Sequence, residues 1–280
     1  MPHGPRGAAG TKTLGRTGLF PYSDADVRHT SFPFVNVALI GLNVLVFLIE
    51  LGIGGPGMLF GNANQNLSAF FFKWGFIPLE LTRGDAFTHP VFDVETPLPT
   101  YATLVTSMFL HGGFFHLAGN MMFLWVFGDN LEDRVGHLKY LIFYLVAGVA
   151  AALTHLAIDP NSQVPLVGAS GAISGVMGAY LLMFPFNRIK TLIVMYIITA
   201  IEIPAVWLLG LWFAWQLVQG VMSLGVSQNV NIAFFAHVGG FVSGVAIMAA
   251  YKLATGQPVI PRRVRRQPWD TWYRTRHRGD

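Results

Sequence analysis

The chain contains no cysteine, so disulfides, cysteine nucleophiles and cysteine-ligated zinc are excluded. Charge is scarce too: 11% of its 280 residues are Asp, Glu, Lys or Arg, against about 25% in ordinary soluble domains. The long apolar stretches hold no aspartate, which leaves a two-aspartate intramembrane protease without its carboxylates. There is no HExxH, and no carboxylate accompanies His111 and His116, so a metal centre is not indicated. The opening MPHGPRGAAGTKTLGRTG has no apolar core bounded by a cleavage signal and does not read as a secretory leader. No repeat of fixed period is visible, and repeated halves are what a transporter would show.

What is present is hydrophobicity, at 53% of residues. Several runs approach or exceed the roughly 18–20 apolar residues that cross a bilayer, and the reading is an all-α polytopic membrane protein. Six spans are expected, at about Phe34–Ile53, Ser107–Gly128, Tyr140–Ile158, Gly168–Phe186, within Thr191–Leu224, and Ala233–Leu253. Residues 1–33 and 254–280 form tails around this core. The basic residues orient it. Arg6, Lys12, Arg16 and Arg28 precede the first span, Arg134 and Lys139 follow the second, and Arg188 and Lys190 follow the fourth. Arg262, Arg263, Arg265 and Arg266 lead the last segment, whereas the opposite side carries only Lys73 and Arg83. Both termini are therefore expected to be cytoplasmic. The RRVRR cluster reads as a lipid head-group contact rather than a nucleic-acid site. The aromatic SAFFFKWGFIP in the first outer loop reads as an interfacial segment.

Polar side chains inside a membrane are costly and mark function. By this orientation His116, Asn120, Ser170 and His237 fall at similar depth, a few residues inside the outer boundary, on three different spans. A serine nucleophile needs a base within hydrogen-bond reach, and His237 is the available imidazole. The oxyanion formed by attack on an amide needs donors. His116 and Asn120, four residues apart, offer them from one face, and the first amides of the fourth span offer more. No aspartate lies at that depth to orient His237, so a dyad is expected. Ser174, a turn deeper than Ser170, is read as bonding back to the i−4 carbonyl. Gly171, Gly175 and Gly178 on the fourth span, and Gly240 and Gly244 on the sixth, let two helices approach closely. His111 and His155 read as structural, and Glu202 as a carboxylate bonded near Pro204. Trp207, Trp212, Phe213 and Trp215 line a lateral opening or face lipid.

The segments HGGFFHLAGNMMFLWVFGDNLEDRVG, GASGAISG and AHVGGFVSG together resemble the rhomboid family of intramembrane serine proteases. That resemblance implies a six-transmembrane-helix rhomboid-like bundle cleaving single-span membrane-protein substrates. It implies Ser170 as nucleophile, His237 as base, His116 and Asn120 as oxyanion donors, and no cofactor, metal or nucleic acid. Glu132 and Gly136 match the family's acidic turn, a structural element. Two positions differ from many members: the first loop ends in TYATLVTSM without a Trp-Arg motif, and position 174, aromatic in some, is serine. A proteolytically inactive relative acting as binder or chaperone should lack the serine or the histidine, and this chain keeps both. The compact core and short tails fit a bacterial plasma membrane, with the site on the outer side.

Overall fold

The computed structural model describes residues 18–26, 30–84, 99–194, 198–223 and 233–261. In chain order these form strand β1 (Gly18–Asp24), helices α1 (Phe34–Gly54), α2 (Gln65–Trp74), α3 (Pro78–Arg83), α4 (Thr103–Thr106), α5 (Phe114–Val135), α6 (His137–Ile158) and α7 (Ser170–Met183). Strands β2 (Arg188–Val194) and β3 (Ile198–Pro204) follow, then helices α8 (Ala205–Ser223) and α9 (Ala233–Ala254). Among the described residues four helices are long and apolar enough to cross a membrane: α1, α6, α8 and nearly all of α9, while α7 is apolar but shorter. The chain is thus a mostly helical, multi-pass membrane protein. The RRVRR cluster, Arg6, Lys12, Arg16 and Arg28 lie outside the described residues.

Helix α1 shows how the bilayer inverts the usual burial rule. Its apolar residues Leu42, Leu45, Leu48 and Ile49 face outward, whereas Asn36, Leu39, Asn43, Phe47 and Glu50 are buried. That stripe recurs every three or four residues, which keeps it on one helical face. Inside, Asn36 accepts from Tyr140 Oη (2.7 Å) and donates to the Leu124 carbonyl (3.1 Å). The Glu50 carboxylate accepts the His111 backbone N–H (3.0 Å). Sequence reading passed over these three polar residues because they interrupt an otherwise apolar run.

The second span begins later than expected. Ser107–Phe109 form a single 3₁₀ turn, Leu110 is extended, and α5 starts only at Phe114. The glycines of HGG permit this: a Cβ at Gly113 would lie 3.2 Å from the backbone of Gly61. Beyond Gly128 the helix continues through charged residues to Val135, where Gly136 (φ +87°) ends it. Glu132 explains that extension. Its carboxylate is fully buried and accepts the backbone N–H groups of Val35 (2.9 Å) and Asn36 (2.7 Å), capping the start of α1. Glu132→Ala therefore leaves one buried and one partly buried amide without their acceptor, and we expect a loss of about 2–4 kcal/mol in denaturant unfolding in detergent. Glu132→Gln should recover part of it.

The all-α expectation is corrected by a three-stranded antiparallel sheet in the order β1-β2-β3. Thr191–Pro204, placed at the head of the fifth span, is strand rather than helix as far as it is described. Its β-branched alternation suits a pleated surface: Ile189 pairs with Ile203 and Thr191 with Ile201, on a face where Ile189 and Thr191 are buried. Glu202 consequently lies outside the helices and pairs with Arg188 (2.8 Å) instead of with backbone near Pro204. Residues 18–24, expected in a tail, supply β1. Asp24 at its end accepts from Tyr180 of α7 and from Asn187 (3.0 Å), tying the strand beneath the bundle.

Helix α7 sits at the centre, with α6 on one side and α9 on another. A Cβ at Gly175 would lie 2.5 Å from the Ala147 Cβ of α6, and one at Gly171 2.7 Å from that of Ala151. Against α9 the approach is closer: a methyl at Gly240 would overlap the Gly171 carbonyl oxygen, and one at Gly244 that of Gly175. Backbone meets backbone there, as the small-residue stripes predict.

Candidate active site

Ser170 is the first residue of α7, reached through Gly168, whose φ of +125° is a conformation that glycine adopts readily. The Gly168 N–H donates to the Ser107 carbonyl (2.9 Å), fixing the turn into the helix. The first amides of α7 have no intrahelical acceptor, so Ser170 stands at the positive end of the helix dipole, beside free N–H groups. On α9, His237 lies three residues before Gly240, whose bare backbone allows the close crossing. The result is direct: His237 Nε2 and Ser170 Oγ are 2.7 Å apart.

Ser174 does what its depth suggested, donating its hydroxyl to the Ser170 carbonyl (2.6 Å) in full burial. His116 and Asn120 lie in the first and second turns of α5 and line the same cleft as Ser170 and His237, of ≈ 230 Å³. A Cβ on Gly168 would come within 2.9 Å of the His116 ring, so glycine there also makes room for the imidazole. Asn120 is 7% exposed, and its buried Nδ2 has no hydrogen-bond partner among the described residues. An unpaired amide donor in a buried setting is costly unless something else is to occupy it. A second cavity of ≈ 90 Å³ opens on the other side of the serine, walled by Met108, Gly148, Ala151 and Leu166.

His111 lies outside both cavities; its ring stands 5.2 Å from that of His116, edge to face. His155 is buried in the last turn of α6. Trp207 and Trp215 are exposed on the outside of α8, whereas Trp212 and Phe213 pack inward against Phe241. Two residues of α8 were not foreseen at the site. Gln216 Oε1 is 2.8 Å from His237 Nδ1, and the Trp212 ring centre is 6.0 Å from the imidazole, one helical turn away. The available signal was Gln216 itself, a polar side chain in an apolar run one turn from a tryptophan. Among the described residues no group of three or more His, Cys, Asp and Glu is placed to hold a metal.

Comparison with known proteins gives a match of residues 99–253 to the sequence family described as the Rhomboid domain. The "Rhomboid protease GluP" of Bacillus subtilis is 34% identical over 150 residues, 54% of this chain and 26% of that protein. "RHOMBOID-like protein 1" of Arabidopsis thaliana is 28% identical over 221 residues, 76% of this chain and 52% of that protein. The "Inactive rhomboid protein 1" of Drosophila melanogaster is 34% identical over 103 residues, 37% of this chain and 7% of that protein. The chain therefore spans about half, or less, of the length of these relatives.

Proposed function

Because the chain belongs to the rhomboid family, we propose that it is an intramembrane serine endopeptidase acting through a Ser170–His237 dyad and an acyl-enzyme. What carries the reading is the 2.7 Å contact between Ser170 Oγ and His237 Nε2, made across two helices at the head of a cleft. An inactive binder has no need of such a preorganised pair. The core is residues 34–253, crossing six times with cytoplasmic termini and the cleft toward the outer side, and its substrates are single-span membrane proteins.

The chemistry follows from the geometry. His237 Nε2 takes the hydroxyl proton as Ser170 Oγ attacks the scissile carbonyl carbon. The carbonyl oxygen becomes an oxyanion, met by Asn120 Nδ2, the His116 ring and the first amides of α7. His237 then returns the proton to the leaving amine as the C–N bond breaks. Water, deprotonated by the same nitrogen, hydrolyses the ester and frees the serine.

Access to water inside a bilayer is a matter of helix length. With 14 residues, α7 is ~21 Å long at 1.5 Å per residue, well short of the ~30 Å hydrocarbon core. Its first residue therefore sits below the membrane surface, under a cavity open from above. A substrate helix must unwind locally there, since an intact helix keeps its carbonyls hydrogen-bonded. The ≈ 90 Å³ cavity beside Ser170 accommodates a small side chain next to the scissile bond.

The test is purified protein in detergent with a single-span reporter substrate and a fluorophosphonate probe. The expected outcome is cleavage of the reporter and one covalent adduct, mapped by mass spectrometry to Ser170. An adduct on Ser174, or cleavage with Ser170 unmodified at full probe occupancy, overturns the assignment.

A further inference from the structure

A catalytic imidazole must present its unprotonated nitrogen to the hydroxyl, and neutral histidine has two tautomers. Something has to select one, and among the described residues no aspartate is hydrogen-bonded to the His237 ring. We propose that Gln216 is the positioning residue of the site, accepting the proton of His237 Nδ1 and so holding Nε2 as the free base that faces Ser170. The inference deepens the protease reading and rests on it.

The argument is geometric. Gln216 is 8% exposed, on the inner face of α8, with Oε1 2.8 Å from His237 Nδ1. A carboxamide oxygen can only accept, so the ring nitrogen facing it carries the hydrogen. The opposite nitrogen is then an acceptor, free to take the Ser170 hydroxyl proton across the 2.7 Å contact. One turn earlier on the same face, Trp212 lies against the imidazole at 6.0 Å and also meets Phe241 at 6.2 Å. Thus α8 holds the ring at two points, one fixing its plane and one its tautomer. Helix α7 offers no aromatic for this at position 174, where Ser174 bonds its own helix. A neutral acceptor suits an apolar setting, because an aspartate here would add the desolvation of a charge.

The experiment compares Gln216→Met, nearly equal in length with only a weak thioether acceptor, with Gln216→Glu, which keeps a strong one. The expected result for Gln216→Met is a fall of about ten- to hundredfold in kcat, with KM little changed and phosphonate labelling slowed in parallel. Gln216→Glu should retain most of the rate. Ring-nitrogen chemical shifts of isotope-labelled histidine supply a readout that loss of packing alone does not move. They should report hydrogen on Nδ1 of His237 in the wild type and in Gln216→Glu, and a tautomer mixture in Gln216→Met. Gln216→Met with wild-type kcat, or a rise in KM alone, overturns the proposal, as does an unchanged tautomer. Gln216→Leu gives the same comparison should the methionine variant not fold. If the wild type neither cleaves nor labels, it is the protease reading that fails. The shifts then still decide whether Gln216 sets the tautomer.

Discussion

Ser170→Ala is expected to lower kcat/KM on a reporter substrate by roughly 10³-fold or more, and His237→Ala by a comparable factor. The reason is that the two side chains share one proton. Without the imidazole the hydroxyl keeps its hydrogen and is a poor nucleophile; without the hydroxyl the base has nothing to activate. The double variant should accordingly be no slower than either single one, since residues acting as a unit are strongly non-additive. The loss should fall mainly on kcat, because the proton the two residues exchange moves only in the chemical step. Folding should be untouched by Ser170→Ala, as the hydrogen bond that ties this turn to the next uses the Ser170 backbone carbonyl, which alanine keeps. Rates, KM and unfolding midpoints of the three variants decide the matter. A Ser170→Ala protein retaining a tenth of wild-type activity would sink the nucleophile assignment.

Much of this site was readable from residue types and spacing, and the limit of that reading has a physical cause. Depth along a helix is additive at 1.5 Å per residue, so residues on different spans could be ranked against one another once orientation was assigned. The glycine stripes announced where two helices meet. What depth and spacing do not give is rotation of a helix about its axis. Helix α8 carries Trp207, Trp212, Phe213, Trp215 and Gln216 in ten positions, and only packing decides that Trp212 and Gln216 face His237 while Trp207 and Trp215 face out. The same holds for Glu50, whose partner is a backbone amide sixty-one residues away, a contact with no sequence signature. The sheet was missed for another reason: Thr191–Pro204 is apolar enough to read as membrane span. Its β-branched alternation was the competing signal, and hydropathy outweighed it.

Gly244→Ala is expected to damage both the fold and the chemistry, because its effect is transmitted along a rigid rod. Gly244 lies seven residues from His237 on α9, two turns along the same face. A methyl there would overlap the backbone oxygen of Gly175, and one on Gly240 that of Gly171. Neither obstacle is the end of a flexible side chain, so the helices themselves must move apart. A displacement near 1 Å would stretch the Ser170–His237 contact from 2.7 Å past the limit of a hydrogen bond, and misplacement on that scale typically costs about 10²-fold in rate. Overpacking of this kind also costs about 1–3 kcal/mol of stability. Gly210→Ala on α8 is the matched control: nothing lies within 4 Å of its added methyl, and exchanging glycine for alanine inside a helix is mildly favourable. Unfolding in detergent and cleavage of the reporter should therefore separate the two variants clearly. Gly244→Ala cleaving and unfolding like the wild type would mean that the α7–α9 crossing is looser than described, and that the serine and histidine are held together by something other than the glycine faces.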